Sequence, residues 1–188
     1  MIMKIRLIYA GTAALALLLA VTLLAPALAA EPFTLDAVRA QVRQDYRSVP
    51  HLSTQALERA MAAKDNLLVL DVRERQEFAV SRIKGAQRVD PGIWRWTFMN
   101  RFGEKVRGKT VVFYCSVGVR SSRLAATVRA SLMEQGAKEV YNLDGGVFTW
   151  HNETRALVNG QGMTDFVHPF DRKWGTLVKR QALVRVTP

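Results

Sequence analysis

Two short apolar runs, one preceded and one followed by a helical pattern, place the strongest constraint on the fold of this chain. Residues 66–70 and 109–115 are dominated by Leu, Val and aromatic side chains, so each run predicts a strand buried on both faces. Apolar residues at helical spacing occur at 55–64, before the first run, and at 121–135, after the second. Strands alternating with helices predict an α/β fold with a central, mainly parallel sheet flanked by helices.

Weaker patterns extend this alternation along the chain. We expect further helices at 34–47, 74–83 and 147–154, and short strands at 85–89 and 139–143. Turns are expected at 90–92 and 144–146, which read Asp-Pro-Gly and Asp-Gly-Gly. The 188 residues, 49% hydrophobic and 23% charged, are enough for one well-filled core.

The first thirty residues have the pattern of an export signal. Lys4 and Arg6 are followed by an uncharged run at 7–30, and Ala27-Leu28-Ala29 meets the small-residue rule for cleavage. A retained membrane anchor is the alternative, because at about 1.5 Å per residue the run is long enough to cross a bilayer. In both cases the folded domain is expected outside the cytosol, either free in the periplasm or anchored facing outward.

This reasoning divides the chain into four segments. Residues 1–30 are the signal or anchor, 31–52 a helical N-terminal extension, 53–152 the main domain, and 153–188 a C-terminal extension. The C-terminal extension has too many large apolar side chains for a free linker, so we expect it to pack on the domain. The pattern leaves open whether it covers a sheet edge or narrows a site.

The chain is strongly basic, with a formal charge of +11 that becomes +9 without the two cations of the signal. Such a surface attracts anionic substrates or lipid head groups, or it is solvated without a partner. Nucleic acid binding is not expected, since the basic residues are scattered singly and no reading motif occurs. The histidines His51, His151 and His168 and one cysteine give no metal-ligand spacing, and no cofactor is expected.

Cys115, the single cysteine, stands where the second apolar strand meets a glycine-containing loop and a helix. This setting directs backbone N–H groups and the positive end of a helix dipole at one point. A thiolate is stabilised there, and Arg120 and Arg123 favour it further. We therefore expect a nucleophilic thiol, the alternative being a buried cysteine that acts as a small hydrophobe.

Six motifs in order along the chain resemble those of the single-domain rhodanese family. They are LDVRE at 70–74, EF at 77–78, IKGA at 83–86, CSVGVR at 115–120, LDGG at 143–146, and Trp150. The resemblance implies a three-layer α/β fold for residues 53–152. It also implies that Cys115 takes a sulfane sulfur from a small anionic donor such as thiosulfate. The cysteine would hold this sulfur as a persulfide and pass it to a thiol acceptor, which includes protein thiols, or to cyanide.

The segment 115–120, here called the Cys115 loop, is the expected sulfur site. Its substrate-binding residues are Ser116, Val117, Gly118, Val119 and Arg120. Their N–H groups would bind the negative terminal sulfur. Gly118 would let the loop close tightly, and Arg120 would orient an oxyanion donor and hold the loop. The alternatives are an ordinary turn glycine and a surface arginine.

Loop length separates sulfur transfer from phosphate chemistry. The pattern here is C-x4-R, whereas tyrosine phosphatases and arsenate reductases, which are related proteins, have C-x5-R. Position 121 is Ser121, and Tyr114 stands where the phosphatases carry a histidine. A shorter loop suits a single sulfur atom, so phosphatase or arsenate reductase activity is the less favoured alternative.

Asp71 and Arg73 end the first apolar strand, at the sheet edge that also carries the Cys115 loop. We expect them to pair with each other or to cap the next helix, with a supporting role in substrate binding as the alternative. Glu74 and Glu77 are expected to be helix-start charges on the surface. Ser81-Arg82 departs from the family, in which a histidine often precedes the position of Ile83.

Two apolar clusters outside these motifs remain. The aromatic segment 94–102 is expected to fill the core, with a partner-docking face or the wall of an acceptor pocket as the alternative. His168 in the C-terminal extension is expected to be structural rather than an acid/base partner of Cys115. The sequence therefore predicts an exported rhodanese-type sulfurtransferase, the alternative being a noncatalytic module that binds a partner or senses sulfane sulfur.

Overall fold

The computed structural model describes residues 32–188. The predicted signal or anchor lies outside the described residues. Within the described part, no helix has the length and hydropathy needed to cross a membrane.

Seven helices and seven strands make up the described part, together with two short 3-10 helices. The helices are α1 Leu35–Asp45, α2 Thr54–Ala62, α3 Arg75–Val80, α4 Arg95–Phe102, α5 Val119–Glu134, α6 Gly146–Asn152 and α7 Arg172–Gly175. The strands are β1 His51–Leu52, β2 Leu67–Asp71, β3 Gln87–Arg88, β4 Thr110–Tyr114, β5 Glu139–Leu143, β6 Leu157–Val158 and β7 Met163–Thr164. The 3-10 helices are Gly103–Val106 and Gln181–Leu183.

Five strands form one sheet in the order β1-β5-β4-β2-β3, and every pairing in it is parallel. The two strongest predicted strands, β2 and β4, lie side by side, with Val69 opposite Val112. β6 and β7 form a separate antiparallel pair. The predicted α/β class with a central parallel sheet is confirmed.

Alternate side chains of β4 supply two cores, one on each face of the sheet. Val111 and Phe113 belong to a cluster with apolar residues of α4 and α5. Val112 and Tyr114 belong to a second cluster with residues of α2, α6 and the C-terminal extension. Because the strand is covered on both faces, the fold has three layers.

The helix boundaries follow local signals. Ser53 Oγ accepts a hydrogen bond from the N–H of Ala56 and so caps α2. α5 ends before Gly136, which has φ +90° and forms the left-handed turn that glycine favours at a helix C-terminus. Both signals are visible in the sequence.

The aromatic segment divides between core and surface. Phe98 and Phe102 are fully buried, as predicted, but Trp94 and Trp96 are 77% and 68% exposed. The core-filling prediction is therefore wrong for the two tryptophans. The segment forms α4 because Phe98 and Phe102, four residues apart, lie on one helix face, with ring centroids 5.0 Å apart.

The C-terminal extension lies against the second core. Leu157, Val167, Leu177 and Val178 are buried within that cluster. Asn152, at the end of α6, donates to the carbonyl of Leu177 and accepts from the N–H of Lys179. These contacts fix the segment that leads into and out of α7.

Candidate functional site

Cys115 follows β4 directly, and the Cys115 loop continues into the first turn of α5. The residue is 1% exposed, and the Gly118 N–H donates to its Sγ across 3.2 Å. Gly118 has φ +103°, and a Cβ there would lie 3.1 Å from Asn142 Nδ2. The position therefore favours glycine for both its backbone conformation and its close neighbours.

The N-terminus of α6 orients the Cys115 loop. The N–H groups of Val147 and Phe148 donate to the carbonyls of Cys115 and Ser116, both at 2.9 Å. A trans peptide points its N–H away from its carbonyl, so the Ser116 and Val117 N–H groups are directed away from α6. Gly146 permits this approach, because a Cβ there would lie 2.4 Å from the Cys115 carbonyl oxygen.

A buried ion pair ties the Cys115 loop to α3. Arg120 donates to the two carboxylate oxygens of Glu77 at 2.7 and 2.8 Å. Ser116 Oγ donates to the same carboxylate at 2.7 Å and accepts from Arg120 at 2.9 Å. Glu77 is 1% exposed, so its predicted position on the surface is wrong.

The environment of Glu77 keeps it ionised. Burial acts to raise the pKa of Glu77, but the hydrogen bonds and charge of Arg120 outweigh it, aided by the Glu74 N–H and the Ser116 hydroxyl. The net result is a lowered pKa. Burial also acts to lower the pKa of Arg120, but Glu77 and Cys115 raise it overall. The pair is therefore charged at neutral pH and its net charge is zero.

Arg120 has two expected roles, which are to hold the Cys115 loop and to orient an oxyanion donor. Its guanidinium holds the loop through Glu77 and Ser116. The ring of Phe170 lies 4.5 Å from the guanidinium carbon. The predicted orientation of an oxyanion donor by Arg120 stays a prediction.

A cavity of about 140 Å³ opens beside the thiol. Its lining comprises Cys115, Ser116, Val117, Val119, Arg120, Phe170 and Trp174. Phe170 and Trp174 belong to the C-terminal extension, so that segment narrows the site. Sequence reasoning missed these two residues individually, although their aromatic character had indicated packing on the domain.

Asp71 and Arg73 pair with each other below the sheet edge. Both are fully buried, and Arg73 donates to the two Asp71 oxygens at 2.9 and 2.7 Å. Arg73 also donates to the carbonyl of Ser81 at 2.6 Å. Burial acts to lower the pKa of Arg73, but Asp71 raises it overall. Neither side chain lines the cavity; together they join the end of β2 to the end of α3, the helix that carries Glu77.

The turn after β5 connects the site to the N-terminal extension. Asp144 accepts from Arg39 at 2.6 Å and also from Arg43, both on α1. Burial acts to raise the pKa of Asp144, but these two arginines lower it overall. α1 is thus joined to the turn immediately before α6, the helix that orients the Cys115 loop.

His168 shapes the backbone of the C-terminal extension. Its Nδ1 accepts from the N–H of Phe170 at 3.0 Å, and it does not line the cavity. Burial, aided by Arg73 and Arg120, lowers the pKa of His168 against the opposing charge of Glu77. Among residues 32–188, no group of three His, Cys, Asp or Glu side chains is placed to hold a metal ion.

Comparison with known proteins agrees with this architecture. Residues 53–153 match the family model of the Rhodanese-like domain. The chain is 34% identical over 110 residues to the tRNA uridine(34) hydroxylase of Cytophaga hutchinsonii, covering 57% of this chain and 31% of that protein. It is 30% identical over 139 residues to the protein of the same name from Bordetella parapertussis, covering 70% and 53% respectively.

One solved structure to which the chain is similar is the thiosulfate sulfurtransferase from Pseudomonas aeruginosa. It has a TM-score of 0.49 and 22% identity, and the match covers 68% of this chain and 23% of that one. The chain spans about a third to a half of the length of the two hydroxylases it matches. The family match extends over more than half of the chain and includes the Cys115 loop, so the chain belongs to the rhodanese-like domain family.

Proposed function

We propose that this protein is a sulfurtransferase that carries sulfane sulfur as a persulfide on Cys115. The observation that carries the proposal is the hydrogen bond of 3.2 Å that the Gly118 N–H donates to Cys115 Sγ. It lies in a loop whose first two carbonyls accept hydrogen bonds from N–H groups of α6. N–H groups fixed in advance stabilise the negative charge that forms on the outer sulfur of a persulfide.

The transfer has two balanced steps. The Cys115 thiolate attacks the outer sulfur of thiosulfate, the S–S bond of the donor breaks, and sulfite leaves with the bonding electron pair. An acceptor thiolate then attacks the outer sulfur of the persulfide, and the Cys115 thiolate leaves. With cyanide as acceptor the product is thiocyanate. Neither step needs an external oxidant or reductant.

The biological setting is part of the same proposal. Residues 1–30 would export the protein to the periplasm or anchor it in the membrane. Its basic surface would concentrate anionic donors, and the acceptor would be a thiol, including the thiol of a protein. The hydroxylase reaction in the names of the curated relatives belongs to proteins of which this chain spans only a part.

Intact mass measurement tests the proposal directly. Purified protein incubated with thiosulfate should gain one sulfur, about 32 Da, and lose it to cyanide with release of thiocyanate. Cys115→Ser should gain nothing. If freshly reduced wild-type protein gains no sulfur, transfer is refuted and the alternative of a noncatalytic binding or sensing module is favoured.

A further inference from the structure

Two side chains that line the Cys115 cavity, Phe170 and Trp174, come from outside the family domain and are here called the aromatic roof. The match to the Rhodanese-like domain ends at residue 153, whereas Phe170 and Trp174 line the cavity from the C-terminal extension. Val117 and Val119 line other parts of it. The space next to the thiol is therefore walled mainly by apolar side chains, half of them contributed by the C-terminal extension.

Several contacts hold this roof in place. Asp171 accepts from the N–H of Trp174 at 2.8 Å and so begins α7. The Trp174 ring packs edge-on against Phe33, which precedes α1, with centroids 5.3 Å apart. Leu177 and Val178, just after α7, are buried in the second core. The two extensions thus contact each other through Phe33 and Trp174, and the C-terminal extension is anchored to the domain.

Among residues 32–188, Arg120 is the only cation that lines the cavity, and Glu77 already balances its charge. Arg120 forms two hydrogen bonds with Glu77 and one with Ser116, and Phe170 covers its guanidinium at 4.5 Å. A dianion that entered the cavity would lose hydration without meeting an unpaired positive charge. A donor with less charge and more apolar surface would lose less.

The size of the cavity agrees with this chemistry. Its volume is about 140 Å³, close to that of the apolar protein cavity of roughly 150 Å³ that binds benzene. The space suits one small ring or a short alkyl chain carried by the donor.

We propose that Phe170 and Trp174 determine donor specificity and favour sulfane sulfur carried on an apolar stem over thiosulfate. The inference rests on the proposed function, because it concerns donors to the Cys115 persulfide. With a thiosulfonate, the Cys115 thiolate attacks the terminal sulfur, the S–S bond breaks, and a sulfinate leaves with the electron pair. The aromatic roof packs against the stem while the Cys115 loop binds the transferred sulfur.

The test compares rates of sulfur loading on Cys115 from benzenethiosulfonate and from thiosulfate, by intact mass in the full chain. Each rate is divided by the rate of the same donor with a small free thiol, which removes the donor's intrinsic reactivity. For wild type, the normalised loading rate should be at least tenfold higher with benzenethiosulfonate than with thiosulfate. Hydrophobic pockets discriminate between substrates by about 10- to 200-fold, and tenfold is the low end of that range. Phe170→Gly and Trp174→Ala should each reduce the preference by about tenfold.

The variants are chosen to keep the fold. Phe170 has φ +67°, which glycine adopts without strain, so Phe170→Gly removes the ring from a position that favours glycine. Trp94→Ala is the matched control, because this exposed aromatic side chain does not line the cavity. Its donor preference should equal that of wild type.

The outcomes separate this inference from the proposed function. Loading from both donors with equal preference in wild type and both roof variants would overturn the inference and leave sulfur transfer standing. A wild-type preference for thiosulfate would do the same. If neither donor loads sulfur on Cys115, both the inference and the proposed function are overturned.

Discussion

Replacing Gly146 by alanine should displace the Cys115 loop from the helix that orients it. Gly146 has φ +59°, and an alanine Cβ would lie 2.4 Å from the Cys115 carbonyl oxygen and 2.7 Å from that of Ser116. Both are backbone atoms, which cannot rotate away as a side chain does. The left-handed conformation costs about 1 kcal/mol, and weakening the two hydrogen bonds from α6 to the loop costs about 1 kcal/mol each.

The expected loss is therefore about 3 kcal/mol, which lowers the melting temperature of a chain of this size by roughly 6–12 °C. Gly85→Ala is the matched control, because Gly85 also has a positive φ, +79°, but has nothing within 4 Å of the added Cβ. It should lose only about 1 kcal/mol. Urea denaturation and thermal melting of the two variants measure the difference.

The same pair of variants tests the link between packing and chemistry. A displacement of about 1 Å at a reacting group can cost about 100-fold in rate, so Gly146→Ala should load sulfur on Cys115 about 100-fold more slowly. Gly85→Ala should load at the wild-type rate. Equal losses of stability in the two variants would refute the reasoning, because strain without crowding would then explain both.

Further predictions follow from the ion pairs and the aromatic segment. Glu77→Gln should destabilise the fold by about 3 kcal/mol in urea denaturation, because Arg120 would keep a largely buried charge without its partner. The lowered pKa of Glu77 means that its stabilisation is complete above its ordinary value of 4.5 and is lost as pH falls toward the folded-state value. As pH falls below 4.5, wild type should therefore lose more stability than Glu77→Gln does. Asp144→Asn should cost about 1 kcal/mol in the same assay by weakening the attachment of α1, and an unchanged midpoint would contradict that role. Trp94→Ala should change stability by less than about 0.5 kcal/mol, whereas Phe98→Ala should cost about 3–5 kcal/mol; similar values for the two would contradict their assigned positions.

The strands that the sequence predicted most accurately are those whose apolar pattern follows directly from burial on both faces. β2 and β4 are central parallel strands, and strands buried on both faces have continuous apolar runs. β1 has only two residues, too few for any periodic pattern, and it was not predicted. α4 was missed because its aromatic residues divide between core and solvent, so they show no single apolar face.

The site was predictable only as far as it is contiguous in sequence. The Cys115 loop is a single segment between a strand and a helix, and its residues were identified from that context. Glu77 lies 43 positions from Arg120, and Phe170 and Trp174 lie beyond the family domain. Partners so far apart are brought together only by the tertiary fold, and nothing in their local sequences indicates the pairing.

The contact between Phe33 and Trp174, the second of which lines the cavity, has a consequence for how this protein can diversify. The Cys115 loop and two of the side chains that line the cavity with it, Phe170 and Trp174, lie in separate stretches of the chain. On the proposed donor selectivity, substitutions at Phe170 and Trp174 would change which sulfur compounds enter and would leave the residues of the Cys115 loop unchanged.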